Sequence, residues 1–201
     1  MGLESFGRFQ ALCSQGLYPK HMGFDPKVKR GEINRLNARV NLAKSFRGIK
    51  LEGFTEKTVA GYDAFFQVFL THSALERFMK VHGVKNVDAL SDLMEPYGPG
   101  EVVRKFFVFD SKGKLFDFLC KHIDEKGKKT REGFTKCKRG ESTNVAYISA
   151  AIRHIFAHGH LTANADNINP WKVQKACVLV SDFLLRFMDA EFTRKIDEYY
   201  K

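Results

Sequence analysis

Three of the seven histidines and one arginine crowd into eight residues, R-H-I-F-A-H-G-H at 153–160. These types do proton transfer and anion chemistry: imidazole titrates near neutral pH, and guanidinium offers a planar fork of donors to phosphate or carboxylate. The segment ends a hydrophobic helical stretch, so helix geometry decides which groups can meet. His154 and His158, four apart, differ by about 40° around the axis and share a face. Arg153 and His158, five apart, are separated by about 140° in an ideal helix. They converge only where the last turn loosens near Gly159, or where two copies of the chain meet.

Three readings of this cluster stay open. In the first, Arg153 and His158 act on a phosphodiester with His154 in support. In the second, His154 and His158, with His160 beyond, bind a metal, two histidines on one helix face being common zinc geometry. That reading lacks a HExxH glutamate, since Ile155 follows His154, and Asp166 is its nearest added carboxylate. In the third, His158 caps a helix C-terminus and Arg153 pairs with a neighbouring helix.

The elements that must position the cluster are helical. From Glu32 to Arg47, the residues Ile33, Leu36, Val40, Ala43 and Phe46 recur at threes and fours, with Arg35, Arg39 and Arg47 largely off that stripe. A long helix from a cap at Thr55 to a stop at Gly83 carries Val59, Tyr62, Phe65, Phe66, Phe69, Phe78 and Met79. After the break P-Y-G-P-G at 96–100, residues 101–120 read as two short helices, 100–109 and 112–123, with a strand and turn as the alternative. Residues 124–141, basic and glycine-punctuated, read as an exposed loop. Ser142, Thr143 or Asn144 caps the next helix, with Val145, Ile148, Ile152, Ile155 and Phe156 on its apolar side and Gly159 at its end. Asn169 and Pro170 open the last helix, whose stripe is Val173, Cys177, Val180, Leu184 and Phe187. Trp171, in its first turn, reads as a packing anchor. The fold class is all-α, an antiparallel helical bundle of one domain over 1–201, with 1–50 an alternative basic appendage.

Composition agrees. The chain has 201 residues, 44% hydrophobic and 28% charged, with 19 Phe against 5 Pro, which excludes a wholly disordered chain. No apolar run reaches the roughly 18–20 residues of a membrane span. The N-terminus shows neither a secretory signal nor a myristoylation pattern, so a cytoplasmic location without membrane attachment is expected. Cys13, Cys120, Cys137 and Cys177 form no CxxC pair and read as reduced thiols, with Cys120 and Cys177 in the core. No P-loop, dinucleotide glycine motif or Gly-x-Ser-x-Gly elbow occurs; G-P-G-E-V-V at 98–103 lacks the lysine a phosphate loop needs. The formal charge is +10. Residues 19–50 carry nine basic and two acidic side chains, and 124–141 seven and four. Such concentrated positive charge suits a polyanion such as nucleic acid, or an anionic membrane surface, with Arg35, Arg39, Lys128, Lys129 and His160 as candidate substrate-binding groups.

The cluster resembles the signature of the HEPN superfamily (higher eukaryotes and prokaryotes nucleotide-binding), an Arg, four to six residues, then a His, with a polar residue after the Arg. Arg153, four intervening residues and His158 match it, and His154 takes the polar position, where Asn is the commoner occupant. The likeness covers the helix-loop-helix of about 143–190. Spacing alone does not single it out, because Arg77 and His82 satisfy it too. At Arg77, however, the second position is Phe78, whereas at 153–158 it is polar, small Ala157 and Gly159 flank the His, and the last long helix follows.

The resemblance implies a metal-independent endoribonuclease needing no cofactor. The RNA 2′-hydroxyl attacks the adjacent phosphate to leave a 2′,3′-cyclic phosphate and a 5′-hydroxyl. In this scheme His158 is general base or acid, Arg153 stabilises the phosphate oxygens, and His154 orients the pair. It also implies a homodimer with a composite cleft, and by analogy a toxin restrained by a nucleotidyltransferase-type antitoxin. The alternative function is a catalytically silent HEPN-like module that binds RNA, nucleotide or a partner protein.

Overall fold

Helix boundaries follow the capping chemistry. The computed structural model describes residues 2–159 and 168–200. Its described residues form nine α-helices and no strand: α1 (Phe6–Ser14), α2 (Arg30–Ser45), α3 (Glu56–His82), α4 (Leu90–Met94), α5 (Pro99–Phe109), α6 (Lys114–His122), α7 (Lys128–Lys138), α8 (Val145–Ala157) and α9 (Pro170–Tyr199). Short 3-10 turns lie at Pro19–Met22, Glu95–Tyr97 and Glu125–Gly127. The Thr55 hydroxyl accepts from the Thr58 N–H at 3.3 Å to open α3. The Asn169 side-chain oxygen Oδ1 accepts from Trp171 N–H at 3.1 Å, and Pro170 follows in the first turn of α9.

The two longest helices, α3 and α9, form the central pair, and α2 and α8 pack against α3. Phenylalanines fill the seams. Phe9, Phe24 and Phe192 meet with ring centroids 5.4–6.2 Å apart, joining α1 to α9. Phe106, Phe107, Phe116 and Phe134 form a second group joining α5, α6 and α7. One continuous buried cluster runs from Leu3 to Ile196. No helix among the described residues is long and apolar enough to cross a membrane.

The structure corrects the sequence reading in several places. Residues 2–50 are no appendage: Leu3, Phe9, Met22, Phe24, Ile33, Leu36 and Val40 lie in the common core. Backbone N–H groups of Leu3 and Glu4 are held by the side chains of Asn37 and Asp189, at 2.8 and 2.7 Å. Over 101–120 the helical alternative holds and no hairpin forms. The basic stretch 124–141 is largely helix α7 rather than an exposed loop. Its buried side is small, mainly Phe134 and Cys137, which leaves too few apolar positions to register as a stripe. Gly133, which reads as loop punctuation, is there for close approach: a Cβ would sit 2.2 Å from the Tyr147 ring of α8. Cys120 is only part-buried, and Trp171 is 46% exposed rather than a packing anchor.

Asn144 is the cap that starts α8, and it is fully buried. Its side-chain oxygen accepts from Ala146 N–H at 3.0 Å. Its amide donates to the Val87 carbonyl at 2.7 Å and to Ser91 Oγ at 3.0 Å. One side chain therefore sets both the start of α8 and its docking on the segment around α4. Asn144→Ala removes the cap and leaves buried partners unpaired, and is expected to cost about 2–4 kcal/mol in urea unfolding.

Two imidazoles are also withdrawn from water, His72 buried and His82 half-buried. Burial pulls the His72 pKa down to about 4, with the nearby Arg153 guanidinium adding to the effect. Burial takes His82 down to about 3, although its hydrogen bond to the Phe78 carbonyl opposes the shift. Unfolded, both titrate near 6.5, so below that pH the unfolded chain binds more protons. Their contribution to stability is complete above about 6.5 and is lost as pH falls towards 4 and then 3. His82→Phe, retaining the stack on Phe78, is expected to lose less stability between neutral and mildly acidic pH than the wild type. Equal losses in denaturant titrations would remove this imidazole as a cause.

Candidate functional site at the end of helix α8

Helix α8 lies between α3 and α7, and its periodicity divides the cluster between them. At 100° per residue, Ser149, Arg153 and Phe156 fall within about 60° of one another, while Tyr147, Ala151, His154 and His158 occupy a sector roughly opposite. The first group looks at α3. Phe156 packs on Phe65, Phe66 and Phe69, the Phe66 ring being 5.0 Å away between centroids. The Ser149 hydroxyl donates to the Ala146 carbonyl at 3.0 Å, so its oxygen accepts from His72 Nδ1 at 2.9 Å. Arg153 reaches Glu76 Oε1 at 3.6 Å, and His72 Nε2 lies 3.9 Å from the same oxygen. Ser149 is completely buried, so its hydrogen bond with His72 is a structural tie without access to substrate.

The second group looks at α7 and the turn before it. His154 Nε2 lies 3.2 Å from Asp124 Oδ1, and the His154 and His158 rings are 4.6 Å apart between centroids. Asp124 is set in place by its own turn, where its carboxylate accepts from Gly127 N–H at 3.0 Å. Arg131 braces that turn from α7 by donating to the Ile123 carbonyl at 3.3 Å. Gly127 has to be glycine for this fit: a Cβ would lie 2.3 Å from Ile123 Cγ2 and 3.2 Å from the His154 ring. Burial lowers the His154 pKa against the opposing pull of Asp124, with His158 and Arg153 lowering it further. Asp124 is held below the usual carboxylate range: although desolvation works against this, the Gly127 N–H and the two imidazoles favour the anion.

The last turn of α8 does not loosen. His158 N–H bonds to the His154 carbonyl at 3.2 Å and Gly159 N–H to Phe156 at 3.1 Å, with Gly159 at φ +72°. Within one chain the structure therefore brings together His154, His158 and Asp124, and keeps Arg153 on the α3 side. No hydrogen bond or ion pair joins Arg153 to His158 among the described residues. Both remain reachable at the helix end, His158 being exposed and the Arg153 side chain 39% exposed.

The other basic candidates divide as well. Lys128 and Lys129 are exposed in the first turn of α7, which contains no acidic residue. Two cations at the positive end of a helix dipole are unfavourable there unless an anion arrives. Arg35 pairs with Glu32 at 2.7 Å yet stays 66% exposed. Arg39 instead serves the fold, donating to Ser73 carbonyl and hydroxyl at 3.0 and 2.7 Å. His160 and Asp166 lie outside the described residues. The second Arg-x4-His match is dismantled: Arg77 pairs with Glu32, while the His82 ring stacks 3.8 Å from Phe78.

In comparisons with known proteins, no family model, no curated protein and no solved structure matches the chain. The site is therefore described by its own geometry. Sequence reasoning missed Asp124, Gly127, Glu76 and His72. Asp124 stands 30 residues before His154 inside a stretch dominated by lysine, and no spacing rule links the two. Asp124→Asn removes a carboxylate that raises the His154 pKa. In that variant the His154 ring resonances, followed by NMR, should titrate at a lower pH than in the wild type. A midpoint that stays put would rule out the pairing in solution.

Proposed function

We propose that this chain is a metal-independent endoribonuclease of HEPN type, in which His158 serves as general base or acid and Arg153 binds the scissile phosphate. The carrying observation is an exposed imidazole, His158, beside a second one, His154, that is anchored by an ionised carboxylate and lies next in sequence to a part-exposed arginine. RNA brings its own nucleophile in the 2′-hydroxyl, so an enzyme needs to align it, move protons and neutralise charge. His154, oriented by Asp124, positions His158 and offers a route for a proton. Lys128 and Lys129, with Arg35, give the backbone of a polyanion its attachment, so binding weakens as salt rises.

The opposed faces of Arg153 and His158 on a regular helix favour a composite site. Arg153 of one copy reaches the phosphate held at His158 of a second copy, and the chain acts as a homodimer. The cytoplasmic location and a restraining antitoxin belong to the same proposal. The Arg153–Glu76 pair supports the second reading, a catalytically silent RNA- or protein-binding bundle, because it occupies the guanidinium with a structural partner.

Cleavage of RNA in excess chelator, with end-group analysis, separates the two. Activity giving 2′,3′-cyclic phosphate ends, reduced about 100-fold or more by His158→Ala or Arg153→Ala in folded protein, supports the nuclease. Mixing these two inactive variants should restore about a quarter of wild-type activity, since half the dimers are mixed and each carries one intact site. Binding without cleavage selects the silent module, and mixing without recovery rules out the shared site.

A further inference from the structure

We propose that Asp124, His154 and His158 form a binding site for a divalent transition-metal ion of the zinc class. One donor atom from each of the three lies within 4.8 Å of the other two. The Asp124–His154 separation of 3.2 Å already matches the edge, about 3.3 Å, of a tetrahedron drawn by metal–ligand bonds of about 2 Å. His158 supplies the third donor from one turn further along the same face, and as an exposed side chain it can rotate through the remaining distance. Two imidazoles and one carboxylate are a ligand set for zinc and its first-row neighbours; magnesium and calcium prefer all-oxygen shells.

The site is built rather than scattered. Its carboxylate is fixed by the Gly127 N–H, its turn is braced by Arg131, and its inner histidine is only 15% exposed against a glycine with no side chain in the way. A metal takes neutral imidazole and ionised carboxylate, so its binding here weakens as pH falls. Both Asp124 and His158 face solvent, which leaves the fourth coordination position open to water or to an anion. Lys126 and Lys128 flank the turn and oppose a dication, so the ligand triad, rather than the general field, must carry the binding.

The site deepens the nuclease reading and in its consequence rests on it: a metal on His158 takes the lone pair that proton transfer requires, so it acts as an inhibitor. Metal binding itself is measured without RNA. The full chain, stripped with chelator, is titrated with Co²⁺ and then competed with Zn²⁺. One equivalent is expected, with the intense visible bands of a four-coordinate site that Zn²⁺ displaces and Mg²⁺ does not. Asp124→Asn and His158→Ala should each weaken binding at least tenfold with the helical circular dichroism unchanged. Glu132→Gln, at an exposed carboxylate of α7 outside the triad and its turn, should bind as the wild type does. Absence of a saturable equivalent, or binding indifferent to both ligand variants, overturns the site. In the cleavage assay, Zn²⁺ should inhibit and chelator should restore; cleavage undiminished by bound Zn²⁺ overturns the inhibitory role. Binding without any cleavage leaves the metal site standing and removes the nuclease reading alone.

Discussion

Every property of the candidate site depends on the docking of α8 between α3 and α7. Phe156 packs among Phe65, Phe66 and Phe69, and Tyr147 lies against Gly133, and these contacts set the rotation of the helix about its axis. A fixed helix distributes its side chains at 100° intervals, so Arg153 must look towards α3 and His154 and His158 towards α7. The division between an arginine side and a histidine side is thus a result of core packing. The buried cap at Asn144 adds the axial register, because it ties the first turn to Val87 and Ser91.

Electrostatics follow from that docking. On the α3 side, burial and the neighbouring Arg153 keep His72 neutral, and Glu76 pairs with the guanidinium. On the α7 side, a largely buried His154 beside an exposed His158 is offset by Asp124, and its carboxylate is in turn stabilised by a backbone N–H. The same arrangement serves two chemistries. An oriented imidazole pair next to a carboxylate is suited to proton transfer when protons occupy it, and to metal ligation when they do not. Competition between proton and metal for one set of lone pairs links the two proposals.

Much of this architecture was legible in advance, for identifiable reasons. Long helices with regular apolar stripes, such as α2, α3 and α9, announce themselves through periodicity, and Thr55, Asn169 and Pro170 mark their starts through local hydrogen bonding. Helix α7 did not, since a short helix that buries little besides Phe134 and Cys137 and carries lysines elsewhere looks like solvated loop. The N-terminal fifty residues looked separable because their charge is conspicuous, whereas their apolar minority, Phe9, Phe24 and Leu36 among them, is what the core uses.

The sequence by itself determined the inventory: an all-helical chain, a terminal R-H-x3-H segment on a hydrophobic helix, the shared face of His154 and His158, and the divergence of Arg153 from both. These are consequences of helix geometry and of local caps, which need no distant partner. Only the tertiary structure decided the company each side chain keeps. Asp124 arrives at His154 from another element, and Glu76 claims Arg153 from α3. Such pairings depend on which faces of packed helices meet, a property of the folded core that no local spacing encodes.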